Sequence, residues 1–169
     1  MYEINIDIGD FYLKKLNAND NLDNYLYWMK NPQNNEYTIS SHQGYSLLEL
    51  KKFIENCNSN SNILLLGIFD KSKDIHVGNI KFDNIDLKIN SATMGILIGE
   101  KKYRGIGLAE KVIKSSINWL YTNLDIRRIF LGVDKNNSAA IKLYSKIGFI
   151  PENNQLQNGI KMRWDLNVK

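Results

Sequence analysis

The chain has 169 residues, of which 43% are hydrophobic and 24% charged, and its formal net charge is +4 at pH 7. This length and composition are those of one ordinary globular domain with a substantial core. No apolar run reaches the ~18 residues that a membrane span needs, the N-terminus lacks a signal-peptide pattern, and the basic residues form no nucleic-acid-binding motif. We therefore expect a cytoplasmic protein whose single domain spans residues 1–169, with neither a membrane nor a nucleic acid as partner.

The chain contains one cysteine, Cys57, and two histidines, His42 and His76. A single cysteine excludes an intramolecular disulfide, and without a basic partner in a recognisable motif it is a poor candidate nucleophile. Three such residues at unrelated spacings offer no ligand set for a metal ion. We expect a packed, structural thiol and no metal site.

The first half of the chain predicts one strand followed by two helices. Residues 11–16 have strand composition, and Asp20 is placed to cap a helix whose apolar residues are spaced three and four apart. Pro32 ends that helix, because the residue before a proline is pushed out of helical geometry. Ser46 and Glu49 form a capping box that opens a second helix.

The second half predicts further strands separated by two helices, the second of which ends at Gly148. The strands are expected at residues 63–69, 76–82, 93–98, 128–133, 149–150 and 160–166. The order β-α-α-β-β-β-α-β-α-β-β indicates an α+β (mixed α/β) domain, with an antiparallel meander and one parallel pair joined by a right-handed crossover.

A glycine turn at residues 101–109 is the strongest local signal, since it joins a strand to a helix. Gly105 and Gly107 let the backbone turn tightly and approach a ligand, and the following helix offers unpaired N–H groups to an anion. The Gly-Lys-Ser/Thr ending of a Walker motif and the third glycine of a dinucleotide fingerprint are both missing. A tight turn without a ligand is the alternative at this point.

A second signal is the pair Asn137 and Tyr144, seven residues apart on the last predicted helix. Two helical turns separate them by roughly 10.5 Å along one face, and the small Ala140 between them lets a flat ligand lie close. This arrangement suits an extended amide-containing chain that ends in a reactive group. The alternative is an N-cap asparagine and a core tyrosine, each common by itself.

These stretches together resemble the GNAT superfamily of acyl-CoA N-acyltransferases, most sharply at residues 92–109 and 134–149. The resemblance implies a central, mostly antiparallel sheet with one splayed parallel pair and helices on both faces. It also implies acetyl-CoA as the acyl-donor cosubstrate and no metal. The family's Gln/Arg-x-x-Gly-x-Gly/Ala turn falls on residues 102–107, or, in an offset register, on residues 104–109.

The resemblance assigns expected roles to individual residues. Asn137 would contact the pantetheine or pyrophosphate arm, and Tyr144 would protonate the departing thiolate as general acid. The backbone N–H of Ile98 is the expected donor to the thioester carbonyl. The expected pyrophosphate turn comprises Lys102, Tyr103, Arg104, Gly105, Ile106, Gly107, Leu108 and Ala109.

The sequence departs from many of these relatives at Thr93. They carry Ala-Glu-Ile-Gly in this strand, whereas residues 92–95 here read Ala-Thr-Met-Gly, and a threonine cannot act as a base at neutral pH. The amine could lose its proton through water or through His42, Asp83 or Glu36. The base therefore stays open.

The acceptor pocket of the superfamily is built largely by the first two helices and their connection, here roughly residues 25–50. Glu36, Tyr37 and His42 are the candidate substrate contacts, whereas Tyr25 and Trp28 are expected mainly to pack on the sheet.

Two stretches, Trp-x-x-Asn-Pro from residue 28 and His-Val-Gly-Asn-Ile-Lys from residue 76, resemble a branch related to ribosomal-protein N-acetyltransferases. Some members of that branch are associated with surface-polysaccharide and amino-sugar synthesis, so the first expected acceptor is a nucleotide-linked amino sugar. The alternatives are a protein N-terminus as acceptor, or a coenzyme-A-binding protein without catalysis. A monomer or homodimer is expected.

Overall fold

A computed structural model of the chain describes residues 4–31, 46–153 and 158–166. Eight strands form one sheet in these ranges, and four α-helices pack on it. The strands are β1 Asn5–Asp7, β2 Phe11–Lys15, β3 Leu64–Asp70, β4 Ile75–Asp86, β5 Ser91–Ile98, β6 Arg128–Asp134, β7 Ile150–Pro151 and β8 Gly159–Asp165. The helices are α1 Asp23–Lys30, α2 Leu47–Ser59, α3 Leu108–Leu124 and α4 Ser138–Ile147.

The sheet has the order β1-β2-β3-β4-β5-β6-β8-β7, and every neighbouring pair except β5 and β6 is antiparallel. The parallel pair is short, because only residues 91–93 of β5 are in register with residues 128–130 of β6. Pairing between the two strands therefore stops halfway along β5. This arrangement confirms the predicted mixed fold with one splayed parallel pair.

Two buried clusters lie on opposite faces of the sheet, as the prediction of helices on both faces requires. The larger cluster packs α3 against the sheet, and the smaller packs α1 and α2 around the fully buried Trp28. Cys57 belongs to the smaller cluster, where burial raises the pKa of its thiol. This is the packed thiol expected from the sequence. None of the described helices is long and apolar enough to cross a membrane.

The helix ends agree with the sequence signals at the end of α1, the start of α2 and the end of α4, and differ at the start of α1. The capping box of α2 forms, with Ser46 Oγ accepting from the Glu49 amide and the Glu49 carboxylate accepting from the Ser46 amide. Gly148 ends α4 in the left-handed conformation. Asp20, however, does not cap α1, because its carboxylate accepts from Lys14 Nζ and from the Asn17 amide, each at 2.8 Å. The helix begins three residues later than Asp20, and no side chain caps it.

Strand boundaries also differ from prediction at several points. The strand β1 was not predicted, and β4 extends to Asp86 through a register shift near its end. Phe149 was expected in a strand but is a buried residue just before β7.

Candidate active site

The glycine turn has the geometry of an anion site. Gly105 and Gly107 have φ values of +77° and +79°, a region that side chains other than glycine rarely adopt. No described atom lies within 4 Å of a Cβ built on either residue, so the turn faces open space. Gly107 is the N-cap of the 17-residue helix α3, and no side chain caps this end. The first amides of α3 are thus available to a phosphate, with the positive end of the helix dipole behind them.

The side chain of Tyr103 is directed into the protein and away from a ligand. The residue is buried, and its hydroxyl donates to Asp70 Oδ2 at 2.7 Å, at the end of β3. Burial and this carboxylate raise the pKa of Tyr103 to about 12. Hydrogen bonds from Ser72 and Tyr103 lower the pKa of Asp70 to about 2. Tyr103 therefore fastens the turn to β3, and only its backbone is placed for a ligand.

Arg104 fastens the other side of the turn. Its Nε donates to the Ile98 carbonyl oxygen at 2.8 Å and its Nη2 to the Gly99 carbonyl oxygen at 3.3 Å. Arg104 was predicted to belong to the pyrophosphate turn, and its Nε is instead bonded to the end of β5. Lys102 lies over the Tyr103 ring, with Nζ 5.0 Å from the centroid.

The remaining predicted turn residues differ in exposure. Ile106 is exposed, Ala109 is half-buried, and Leu108 is buried in the core. Leu108 is thus placed to offer a ligand its backbone amide and not its side chain.

The far half of β5 presents backbone donors to the gap beside β6. The Gly99 amide donates to the Val77 carbonyl oxygen on β4 at 3.0 Å. Alternate residues of an antiparallel strand direct their N–H groups to opposite sides, so those of Ile96 and Ile98 point away from β4. Since pairing with β6 ends at Thr93, both N–H groups open on the gap. The sequence predicted Ile98 as a donor here and missed Ile96.

The two predicted residues of α4 have different local roles. Asn137 is the N-cap, and its Oδ1 accepts from the Ala140 amide at 3.1 Å, which leaves the Nδ2 donors for a ligand. Tyr144 packs against Phe149 with ring centroids 5.8 Å apart. Burial raises the pKa of Tyr144 to about 12, and among the described residues its hydroxyl has no hydrogen-bond partner. The phenol therefore keeps its proton at neutral pH.

An ionic bridge, which the sequence analysis missed, joins α3 to α4. Glu110 contacts Lys114 Nζ at 2.8 Å and Lys146 Nζ at 2.6 Å. These two lysines lower the pKa of Glu110 to about 2. The spacing of Glu110 and Lys114 is a visible helical pair, but the contact with Lys146 depends on how the two helices pack.

On the other face of the sheet, Trp28 packs directly on the end of β5. A Cβ on Gly99 would overlap the indole ring, and Trp28 Nε1 donates to Glu100 Oε1 at 3.0 Å. Tyr25 is also buried, so both residues pack on the sheet as the sequence predicted. Glu36, Tyr37 and His42, the predicted substrate contacts, lie outside the described residues.

His76 is a buried structural residue and not a base. Its ring stacks on Phe69 with centroids 4.9 Å apart, and its Nε2 lies 2.7 Å from Asn79 Oδ1. Burial lowers the pKa of His76 to about 4, so the imidazole is neutral at physiological pH. The His-Val-Gly-Asn stretch therefore has a structural role, as part of the packing beneath Trp28.

Thr93, at the position where many relatives carry a glutamate, lies between two neighbours in register. These are Asp83 on β4 and Phe130 on β6. The Asp83 carboxylate is paired with Lys81 Nζ at 2.8 Å. Within the described ranges, no group of three or more His, Cys, Asp or Glu residues is arranged to hold a metal ion.

Comparison with known proteins identifies the class to which this fold and site belong. The acetyltransferase (GNAT) domain family matches residues 10–150, which is most of the chain. The chain belongs to this family, and the resemblance found in the sequence is confirmed.

Individual relatives are more distant. Spermidine N(1)-acetyltransferase of Escherichia coli is 35% identical over 75 residues, covering 39% of this chain and 40% of that protein. The spermidine N(1)-acetyltransferase of Vibrio cholerae is 24% identical over 148 residues, covering 87% of this chain and 77% of that protein. The match thus spans less than half the length of the E. coli relative.

Solved structures support the fold. Spermidine N-acetyltransferase from Vibrio cholerae, in complex with CoA and spermine, has a TM-score of 0.83 at 19% identity, covering 92% of this chain and 95% of that one. A ribosomal-protein alanine acetyltransferase from Vibrio fischeri has a TM-score of 0.73 at 12% identity, covering 96% and 97%. At these identities the likeness is one of fold.

Proposed function

We propose that this protein transfers the acetyl group of acetyl-CoA to a primary amine of a small molecule. The observation that carries the proposal is the gap beyond Thr93, where Ile96 and Ile98 offer backbone donors that no strand uses. The gap adjoins the glycine turn, whose amides suit the coenzyme's pyrophosphate. The family match and the CoA-bound structural relative support the same conclusion.

The chemistry assigns a task to each group. The neutral amine attacks the thioester carbonyl carbon, a C–N bond forms and the C–S bond breaks. Backbone N–H groups on β5 stabilise the carbonyl oxygen as negative charge develops there. The thiolate takes a proton from Tyr144, which the solvent replaces, and the proton lost by the amine passes to water. The products are an acetamide and free CoA as its thiol, with no net proton, because the proton that the amine gives to water equals the one that the solvent returns to Tyr144.

The acceptor is the open part of this proposal. The relatives above are named for polyamines, whereas the sequence resemblance favoured a nucleotide-linked amino sugar, and a protein N-terminus is the third possibility. A panel of spermidine, UDP-glucosamine and short peptides, assayed by free-thiol release, distinguishes the three. Release with none of them would favour a coenzyme-binding protein without catalysis.

Coenzyme binding is tested by Gly107→Ala. The methyl group of alanine is disfavoured at the left-handed conformation of residue 107 and fills space beside the α3 amides. We therefore expect acetyl-CoA affinity to fall by about tenfold or more in calorimetry. Gly9→Ala is the matched control, because Gly9 also has positive φ and open space around its Cβ but lies in the β1–β2 turn. Equal affinity losses in both variants, or no binding by the wild type, would contradict the proposal.

The oligomeric state, expected to be monomer or homodimer, stays a prediction. The Vibrio cholerae spermidine N-acetyltransferase has been solved as a dodecamer, so a larger assembly is a third outcome. Sedimentation velocity with and without acetyl-CoA separates these states.

A further inference from the structure

One charged patch lies on the face of the sheet opposite α3, and the coenzyme chemistry does not use it. The neighbours of its members along each strand are buried in the large core cluster: Phe82, Met94, Ile129, Leu131 and Met162. Side chains alternate between faces along a strand, so the patch faces the side of α1 and α2. We define this acceptor-side patch as Lys81, Asp83, Thr93, Phe130 and Lys161.

The register brings the patch together around Thr93. Asp83 and Phe130 are its partners on either side. Lys81 leans toward this row, with Nζ 2.8 Å from Asp83 Oδ2. Lys161 leans toward it from β8, with Nζ 4.7 Å from the centre of the Phe130 ring. The row thus has one ammonium group on the β4 side of Thr93, paired with Asp83, and one on the β8 side, above Phe130.

The charge of the patch is not balanced. Asp83 is already paired with Lys81, and in the described part of the chain Lys161 has no carboxylate partner. Arg163, the next cation on this side of β8, is paired with Glu152 and Asp165. Two lysines and one aspartate give the patch a net charge of +1, and the uncompensated charge is the ammonium of Lys161, which favours an anionic group over a cationic one.

The patch is also accessible. The side chains of Lys81 and Asp83 are 34% and 28% exposed. No described atom lies within 4 Å of a Cβ built on Gly95, the next residue of β5 on this face. The described residues therefore leave open space next to the row at Gly95.

We propose that the acceptor-side patch binds an anionic group, a phosphate or a carboxylate, on the part of the acceptor remote from its reacting amine. Lys161 supplies the uncompensated charge, the paired Lys81 supplies a further N–H donor, and the Thr93 hydroxyl supplies a hydrogen bond. The proposal rests on the proposed acetyl transfer and narrows its acceptor to an amine that also carries an acid. It disfavours polyamines, because the ammonium of Lys161 would repel a second ammonium group of the acceptor.

The position of the patch fits such an acceptor. Thr93 is three residues along β5 from Ile96, which corresponds to roughly 10 Å. The reacting amine must lie near the β5 donors, so the acid group would be separated from it by about this distance. An amino sugar with the acid on the far side of the ring has this form.

The test compares amino sugars that differ only in their acid group. Glucosamine 6-phosphate carries a phosphate, 2-amino-2-deoxyglucuronic acid a carboxylate at the same ring position, glucosamine neither, and spermidine is the polycation. Binding to the full chain in the presence of CoA is measured by calorimetry, and turnover by thiol release. The variants are Lys81→Met and Lys161→Met, with Lys88→Met as the matched control, because Lys88 is exposed in the turn after β4.

We expect the wild type to prefer an acid-bearing amino sugar over glucosamine by at least about tenfold in affinity, and each patch variant to lose about tenfold. The loss should shrink as salt is raised, while Lys88→Met and all glucosamine values stay unchanged. The phosphate and carboxylate arms identify which acid is bound.

Equal affinity for glucosamine and its acid-bearing forms would overturn the proposal, as would spermidine binding most tightly. Because the measurement is direct binding, it tests the anion-binding patch even if no amine is acetylated. Failure of acetyl-CoA to bind, by contrast, would refute the proposed function alone.

Discussion

Replacing Tyr144 by phenylalanine tests the proton path most directly, because it removes one oxygen atom and little else. The Tyr144 ring packs against Phe149, and that packing is retained. Its hydroxyl has no hydrogen-bond partner among the described residues, so no buried group is left unsatisfied by the change. We therefore expect the free energy of unfolding to change by less than about 1 kcal/mol.

The catalytic effect should be much larger. General acid catalysis contributes about 10²–10⁴ in rate, so the Tyr144→Phe variant should lose at least about 100-fold in kcat, or ~2.7 kcal/mol of barrier. Acetyl-CoA affinity should stay within about twofold, because the hydroxyl acts only on the departing thiolate. Steady-state thiol release and calorimetry measure the two quantities.

The raised pKa of Tyr144 adds a pH test. An acid with a pKa of about 12 keeps its proton through ordinary assay conditions, so the wild-type kcat should not fall on the basic side below about pH 10.

Tyr121→Phe is the matched control for the Tyr144→Phe substitution, because Tyr121 is exposed near the end of α3. A Tyr144→Phe variant with kcat within twofold of wild type would refute the acid role.

Three further predictions concern the scaffold. Trp28→Phe should cost about 2–3 kcal/mol in urea unfolding, since it loses buried ring atoms and the bond to Glu100, and it should also weaken acetyl-CoA binding; unchanged stability would contradict this. The ion pairs that lower the pKa of Glu110 stabilise the fold above about pH 4.5, and this contribution is lost as the pH falls toward 2. The unfolding midpoint of Glu110→Gln should therefore depend less steeply on pH in acid than that of the wild type. Because the pKa of His76 is lowered in the folded chain, the unfolded chain binds a proton at this residue at a higher pH than the folded chain does. The free energy of unfolding should therefore fall by about 2 kcal/mol from pH 7.5 to pH 5, and His76→Phe should remove that fall.

Local features of the site could be predicted from the sequence because their causes lie within a few residues. Gly105 and Gly107 have the positive φ values that their spacing suggested, and Asn137 begins a helix. Apart from β1, the element order and the one parallel pair also followed from hydrophobic patterning. The failed cap at Asp20 shows the limit, since a nearby lysine and amide compete successfully for the same carboxylate.

The tertiary part of the site could not be predicted because it depends on register between distant strands. Nothing near Tyr103 in the sequence identifies Asp70, 33 residues away, as its partner. The target of Arg104 and the second donor at Ile96 depend on where pairing along β5 ends. The approach of Lys161 to the Thr93 row requires the β6–β8 register, which no local pattern contains.

The contact between Trp28 and Gly99 restricts how this protein can evolve. Any side chain at position 99 would overlap the indole, so a larger residue there is admissible only with a smaller one at position 28. Such a change would also release Glu100, which the indole holds at the end of β5. The helix on the acceptor side and the strand that faces the coenzyme are therefore coupled in sequence space. Substitutions at Trp28 in α1 that change the accepted amine must therefore be paired with substitutions at the end of β5, so that this strand stays in place beside the coenzyme.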